Sequence, residues 1–342
     1  MPFGLKTPSE NDSAMKLSIV IICWNDWKVI QDCLASIVAG THKIEYEIIV
    51  SDNGSTDGSV ELIRQNFPTA CVAENRENLG FSRGNNAGIR QACGEYILIL
   101  NPDTIIHDGS LDRWIEFAEN HPEAGAFGCK VLNKDGTFQE SARPFPTSSR
   151  DLIAALYLRP LGYFGEAFLS DTYYRWNGTT EREVDWQSGC CVMFRGELLK
   201  RLGGFDEQFF YHFEEVDLCH RVWEAGYKIR YTPAASITHL GGQSVGRFPI
   251  RFALETNRNR YRYYYKHFGK EGATRCRRIL LTRLRVRLAG YSLLNLLRPS
   301  EAVKRRLEMY RVAIRWNKSI DPIGFVEQGK EPQVETPTVQ TV

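Results

Sequence analysis

The first hundred residues alternate short, unbroken apolar runs with longer stretches of helical periodicity, a rhythm that few folds accommodate. Segments 17–23, 47–51, 71–73 and 96–100 read as strands, and 27–38, 59–66 and 82–92 read as helices between them. The strands are rich in Ile and Val rather than alternating apolar with polar. A parallel sheet covered on both faces requires that composition, with each helix serving as a crossover. The pattern predicts a doubly wound α/β sheet. Ligands of such sheets bind beyond the carboxyl ends of the strands. Here those ends carry Trp24-Asn25, Asp52-Asn53-Gly54 and Asn101-Pro102-Asp103, so three polar clusters should converge on one edge.

Downstream the signals are sparser. Residues 133–136 read as a hairpin turn, 141–182 as an irregular binding loop, 191–194 as a strand, 214–225 as a helix, and 228–231 and 236–238 as strands. There is no internal repeat. Four regions are expected: a tail over 1–15, a catalytic domain over 16–246, a basic helical region over 247–320, and a disordered tail over 321–342. The basic region is set apart by charge. Residues 247–316 hold nineteen Lys and Arg against four Asp and Glu, in a chain whose net charge is only +2. Dense positive charge suits an anionic membrane surface, a phosphorylated carrier or nucleic acid. Within it Leu281, Leu284, Leu288, Tyr291 and Leu294 form an apolar seam at helical spacing. That seam fits either a membrane-surface helix or a helix packed on the catalytic domain with a solvated basic face.

The nine cysteines are scattered, odd in number and without a C-x-x-C pair, which argues against a zinc cage or a secreted disulfide framework. With no signal-peptide pattern and no apolar run of about 20 residues, the expected location is the cytoplasm, with peripheral contact to the inner membrane face.

Several residue groups carry candidate chemistry. Asp52 ends a buried strand ahead of a Gly-rich turn, where its carboxylate could accept the N3–H of uracil or thymine or simply shape the turn. Asp103 stands past a strand whose ladder Pro102 stops; one aspartate at such a place suits magnesium or manganese on a diphosphate, although N-P-D is also a common turn. Glu214, Glu215 and Asp217 crowd three acids into four residues behind the aromatics of 209–213. Desolvation there should raise a carboxyl towards the working range of a general base, while Asp217 can pair with Arg221. His239 follows a strand and is a candidate metal or phosphate ligand, or a structural histidine.

In this order the segments SIVIICWN (18–25), EIIVSDNGSTDGS (47–59), ENLGFSRGNNAGI (77–89), GEYILILNPDT (94–104), DWQSGCCVMFR (185–195) and the long stretch 203–244 resemble inverting nucleotide-sugar glycosyltransferases of the GT-A fold, most closely bacterial rhamnosyltransferase-like members. The likeness covers about 16–268 and implies a Rossmann-like nucleotide-binding half plus an acceptor half, followed by the basic helical extension. It implies that Asp52 reads the pyrimidine and that Asn78, Gly80, Arg83 and Asn86, with Asn25 and Asn101, line the nucleotide pocket. It further implies that Asp103 is the remaining acid of a D-x-D metal motif, that His239 contacts metal or diphosphate, and that Glu215 is the general base beside Glu214. Trp186, Arg143, Asp206 and Asp217 are assigned to the acceptor side. Two positions depart from the pattern: Asn101 replaces the first acid of D-x-D, and Glu215 stands where many relatives carry Asp. The implied partners are a dTDP- or UDP-sugar and a glycan or lipid-linked saccharide, with a divalent metal (Mg2+ or Mn2+) as cofactor and no nucleic acid. A glycoside hydrolase would need no base-reading aspartate. Dehydrogenase and P-loop glycine motifs are absent, and a nonenzymatic glycan-binding role is the remaining competitor.

Overall fold

A computed structural model describes residues 15–158, 170–173, 175–210, 212–241 and 249–329. The expected tail over 1–15, apart from Met15, and the part of the C-terminal tail after 329 lie outside the described residues, as does Tyr211.

The opening rhythm folds as the sequence predicts. Strands β1 (Leu17–Cys23), β2 (Tyr46–Asp52), β3 (Cys71–Glu74) and β4 (Tyr96–Leu100) alternate with helices α1 (Trp27–Gly40), α2 (Ser59–Asn66) and α3 (Gly80–Ile89). They lie parallel in the order β3-β2-β1-β4. Cys23 is in register with Asp52 and Ile21 with Leu100, so the three polar clusters do leave one edge together.

The second half begins with β5 (Thr104–Ile106), α4 (Ser110–Glu119), β6 (Ala124–Leu132), β7 (Phe138–Gln139) and β8 (Ala142–Arg143). It continues through α5 (Ser148–Ala155), β9 (Arg182–Glu183), β10 (Trp186–Gln187), β11 (Cys191–Arg195), α6 (Gly196–Arg201), α7 (Glu214–Glu224) and β12 (Lys228–His239). β11 joins the sheet antiparallel to β4, and the order then runs β11-β6-β12-β5. The hairpin turn expected at 133–136 is present: the Gly136 N–H donates to the Asn133 carbonyl and β7 pairs back on β6. Two expectations are corrected. The strands expected at 228–231 and 236–238 are one strand with a register shift between Thr232 and Ser236. The stretch expected to be irregular contains α5, stabilised by a Thr147 cap and by Asp151, which accepts from Arg260 and Tyr264. Periodicity could not show this, because the partners of Asp151 lie more than a hundred residues away.

Three helices complete the chain: α8 (Pro249–Leu297), kinked at Gly269, α9 (Glu301–Ser319) and α10 (Pro322–Gln328). The tail expected to be disordered from 321 therefore begins with a helix. Asp321 caps it by accepting from the Ile323 and Gly324 N–H groups, and Pro322 stands at its first turn.

Alternation along the strands divides the core. On one face Leu17, Ile19 and Ile21 pack with Ile30, Leu34 and Ile37 of α1 and Trp114 of α4; on the other Val20, Ile49 and Ile99 pack with Ile89 of α3, Leu198 of α6 and Leu218 of α7. A third, aromatic core joins the C-terminal helices to the rest. Phe209, Phe213 and Val216 bury against Tyr261, Tyr263, Tyr264 and Trp316. Of the apolar seam in the basic region, Leu281 and Leu284 are buried in this core and Leu288 and Tyr291 pack against it, so the seam faces protein as far as Tyr291, whereas Leu294 is 40% exposed and lies off it. Among the described residues no helix is long and apolar enough to cross a membrane, and all nine cysteines are free.

Candidate active site

Asp52 ends β2 as a buried carboxylate, 2% exposed. Its Oδ2 accepts from the Gly54 and Ser55 N–H groups at 3.0 Å each, which shapes the turn, whereas its Oδ1 is buried without a partner. A buried carboxylate oxygen left unmatched is costly unless something donates to it. Asn25, in the left-handed region at φ 55, braces the same turn: its Oδ1 accepts from the Thr56 N–H at 2.7 Å and its own N–H donates to Ser55 Oγ.

The next segment ties the parallel half to the second half. Asn78 Oδ1 accepts from the Gly80 N–H, which starts α3. Gly80 has φ +75, and a Cβ there would lie 2.7 Å from the Phe210 ring, so only glycine lets the 209–210 segment come this close. Ser82 Oγ donates to the Phe209 carbonyl at 2.6 Å. Asn86 uses both ends of its amide as a bracket: it donates to the Phe205 carbonyl and Glu207 and accepts from the Phe205 N–H. Arg83 lies exposed beside Glu207. Asn78, Gly80 and Asn86 are thus seen fixing the loop ahead of α7.

At the edge beyond β4, the Asn101 N–H donates to the Cys190 carbonyl, and the Asp103 carbonyl accepts from the Leu240 N–H. Pairing of β12 with β5 sets His239 opposite Thr104 and brings its Nε2 to 3.2 Å from Asp103 Oδ1. The other ring nitrogen, Nδ1, lies 2.9 Å from Gln139 Oε1. With Nδ1–H donating to that amide oxygen, Nε2 turns a lone pair towards the carboxylate, an arrangement that a proton or a cation can bridge. Gln139 was not singled out in the sequence; it sits on a two-residue strand with no periodic signal.

Glu214 and Glu215 open α7 at 4% and 8% exposure, each with an Oε2 that is buried and has no partner. Two residues before the helix, His212 and Phe213, both take positive φ, the kind of backbone strain that persists where surrounding packing imposes it. Burial pushes the Glu215 carboxyl up to about 7, against hydrogen bonds from backbone N–H groups and the Arg143 charge that pull it down. Glu214 is raised well above its ordinary range by burial and by the neighbouring Glu215 charge. The Cβ of Glu215 lies against Gly189, and the Cys190 carbonyl accepts from the Asn101 N–H at 2.9 Å, so the 189–190 turn joins the foot of Glu215 to the edge that carries Asp103. Arg143 and Trp186 are directly paired between β8 and β10, and the Trp186 indole donates to the Pro144 carbonyl. Their side chains therefore share one face of that ribbon.

Asp217 and Asp206, assigned from sequence to the acceptor side, are both engaged by side chains of α8. Asp217 is fully buried, and its oxygens accept from Arg221 at 2.8 Å, His267 at 2.8 Å and Lys266 at 3.1 Å. Asp206 accepts from the same Lys266 at 2.7 Å. Both are occupied in a clamp that holds α8 to the catalytic half. Lys266 and His267 were missed as partners because sequence distance hides such a contact.

The parallel half and its carboxyl edge lie within a stretch of sequence that matches a known family. The model of glycosyl transferase family 2 matches residues 18–203, more than half of the chain. The chain belongs to glycosyl transferase family 2. This glycosyltransferase is 31% identical over 258 residues to an N-acetylglucosaminyl-diphospho-decaprenol L-rhamnosyltransferase of Mycobacterium tuberculosis, covering 72% of this chain and 82% of that one. It is 30% identical over 169 residues to the rhamnosyltransferase WbbL of Escherichia coli K12, covering 47% of this chain and 60% of that one. Among solved structures, the glycosyltransferase is similar to a mannosyltransferase of Pyrobaculum calidifontis in complex with GDP-Man and Mn2+, with a TM-score of 0.53, 16% identity, and coverage of 90% of this chain and 89% of that one. A second similar structure is S. aureus TarS 1-349 in complex with UDP-GlcNAc, with a TM-score of 0.51, 18% identity, and coverage of 89% and 81%. The fold of this glycosyltransferase is thus GT-A, with a helical C-terminal region.

Proposed function

We propose that this glycosyltransferase is a metal-dependent inverting enzyme that moves L-rhamnose from dTDP-rhamnose onto a glycan or lipid-linked saccharide in bacterial cell-surface polysaccharide synthesis. The observation that carries the reading is Glu215: a buried carboxyl whose Oε2 has no partner, raised to about 7, with its Cβ against the 189–190 turn that joins the Asp103 edge. Glu215 takes the proton of the acceptor hydroxyl as that oxygen attacks the anomeric carbon; the bond from that carbon to the diphosphate oxygen breaks, and a single displacement inverts the configuration. Asp52 Oδ1 accepts the N3–H of the pyrimidine, the need that its missing partner leaves open. Arg143 and Trp186 offer a fork and an aromatic face to the acceptor sugar. A carboxylate oxygen and an imidazole nitrogen in contact fit manganese or magnesium with diphosphate oxygens completing the shell, so Asp103 and His239 would hold the ion. When bound there, the metal supplies positive charge to the departing diphosphate.

The names of the two rhamnosyltransferase relatives support the choice of sugar, and the decaprenol-linked substrate in one name supports a lipid-linked acceptor and work at the inner face of the cytoplasmic membrane. Uracil and thymine share the edge that Asp52 would read, so UDP-sugars form the control. The test is turnover of a panel of dTDP- and UDP-sugars with Mn2+ or Mg2+ and a diphosphate-linked saccharide acceptor. Transfer from dTDP-rhamnose above all others is expected; preference for a UDP-sugar overturns the sugar assignment, and binding of donors without any transfer overturns the mechanism.

A further inference from the structure

The apolar seam of the second half of α8 faces the protein core, yet the helix carries a second apolar strip on its opposite side. At about 100° per residue, Val286, Ala289, Gly290, Leu293 and Leu297 line up roughly opposite Leu284, Leu288 and Tyr291. Towards the end of the helix Leu294 and Leu296 widen this strip. Leu293 is 58% exposed, Leu294 40%, Leu296 79% and Leu297 69%, so four exposed leucines crowd into five residues at the tip of the α8–α9 hairpin. Scattered exposed leucines are ordinary, but a contiguous group of this kind marks a contact surface.

The charges beside the strip identify what it meets. On the same projection Arg283, Arg287 and Arg298 fall along one margin of the strip and Arg278 and Arg285 along the other. Lys304, Arg305 and Arg306 add to them at the start of α9, directly after the turn. Between Glu271 and Glu301 the sequence contains no acid at all, and Glu301 is itself paired with Lys304 at 2.8 Å. The tip is well formed: the Arg298 N–H donates to the Leu294 carbonyl, and Ser300 caps α9 through its Oγ. An apolar strip edged on both sides by arginines is the arrangement of a helix lying in a bilayer interface, leucines among the acyl chains and guanidinium groups at the phosphates.

We infer that the α8–α9 tip, led by Leu293, Leu296 and Leu297 and edged by Arg285, Arg287 and Arg298, docks this glycosyltransferase on an anionic lipid bilayer. The occupant is a negatively charged membrane surface rather than a protein, because a protein partner matching both margins would need two acidic flanks around an apolar groove. The surface stands on its own residues; the proposed reaction with a lipid-linked acceptor gives it a use.

The full chain should sediment with vesicles containing phosphatidylglycerol at low salt, and much less with pure phosphatidylcholine vesicles or at high salt. Leu293→Glu together with Leu297→Glu, at positions already exposed and therefore compatible with folding, should weaken vesicle binding roughly tenfold or more. Arg285→Glu with Arg287→Glu should do the same and reduce the salt dependence. Donor-nucleotide affinity and transfer to a water-soluble acceptor should be unchanged in both variants, which separates failure of this surface from failure of the proposed reaction. The inference is overturned if the wild-type chain ignores anionic vesicles, or if the leucine variant binds them like wild type. It is equally overturned if light scattering shows a dimer that the leucine variant converts to monomers, since a second copy would then be the occupant.

Discussion

Glu215 shows how one residue's chemistry depends on its surroundings. An ordinary glutamate, near 4.5, is too weak a base at neutral pH; burial carries this one to about 7. Transfer should therefore rise with pH through a limb centred near 7 in kcat/KM. Glu215→Gln, which cannot take the proton, should lower turnover by roughly 10²–10⁴-fold with donor binding retained, and Glu214→Gln should cost less. A dead Glu214 variant beside an active Glu215 variant would reverse the roles. The same shift has a stability consequence. Because the folded state holds this proton more tightly than the unfolded state, the burial of Glu215 is best tolerated below about 4.5 and costs stability increasingly as pH rises to about 7. Glu215→Gln should therefore be more stable than wild type at alkaline pH, measurable by denaturant unfolding.

At the scale of elements, the acids of α7 divide their duties. Glu214 and Glu215 begin the helix with one oxygen each lacking a partner, whereas Asp217 is saturated by Arg221, His267 and Lys266. Burial would raise the Asp217 carboxyl, but the His267 hydrogen bond and the charges of Arg221 and Lys266 outweigh it and hold it down at about 2. A depressed carboxyl contributes stability that is present above its ordinary 3.8 and is lost as pH falls towards 2. Asp217→Ala leaves three donors around a dry hole, and should destabilise the fold by about 3–5 kcal/mol in denaturant titration. His267 also stacks on His220 with ring centroids 3.9 Å apart, so α7 and α8 are held by packing as well as charge. Loosening this joint should disturb Glu215 indirectly, through the strained entry at His212 and Phe213.

On the scale of the whole molecule, the site gathers residues from both halves of the sheet and is backed by the aromatic core of the C-terminal helices. Asp52 and Asp103 come from the parallel half, His239 and Glu215 from the second. A ligand that uses them together should stabilise the whole fold by linkage: dTDP or UDP with Mn2+ at a hundredfold over Kd adds about 2.7 kcal/mol and a matching rise in Tm. Asp52→Ala should lose most of the nucleotide contribution, and Asp103→Ala the part that depends on Mn2+. A full metal-dependent shift in the Asp103 variant would remove the metal from that residue.

The sequence by itself determined the parallel half and the edge where its polar clusters meet, because a sheet buried on both faces writes its strands as contiguous Ile and Val runs. The acidic opening of α7 and its aromatic approach were legible for the same local reason. β1 and β4 keep the bounds of their unbroken apolar runs, and α2, buried on one face, keeps those of its period. Tertiary structure alone decided which acid does what. Asp217 and Glu215 stand two residues apart and are chemically similar, yet Lys266 and His267, about fifty residues away, neutralise one, while the Oε2 of the other is buried without a partner. The same holds for the placement of Gln139 behind His239, for α5 with its Asp151–Arg260 pair, and for which side of α8 meets protein. Those outcomes rest on contacts between distant segments, and such contacts leave no period in the chain.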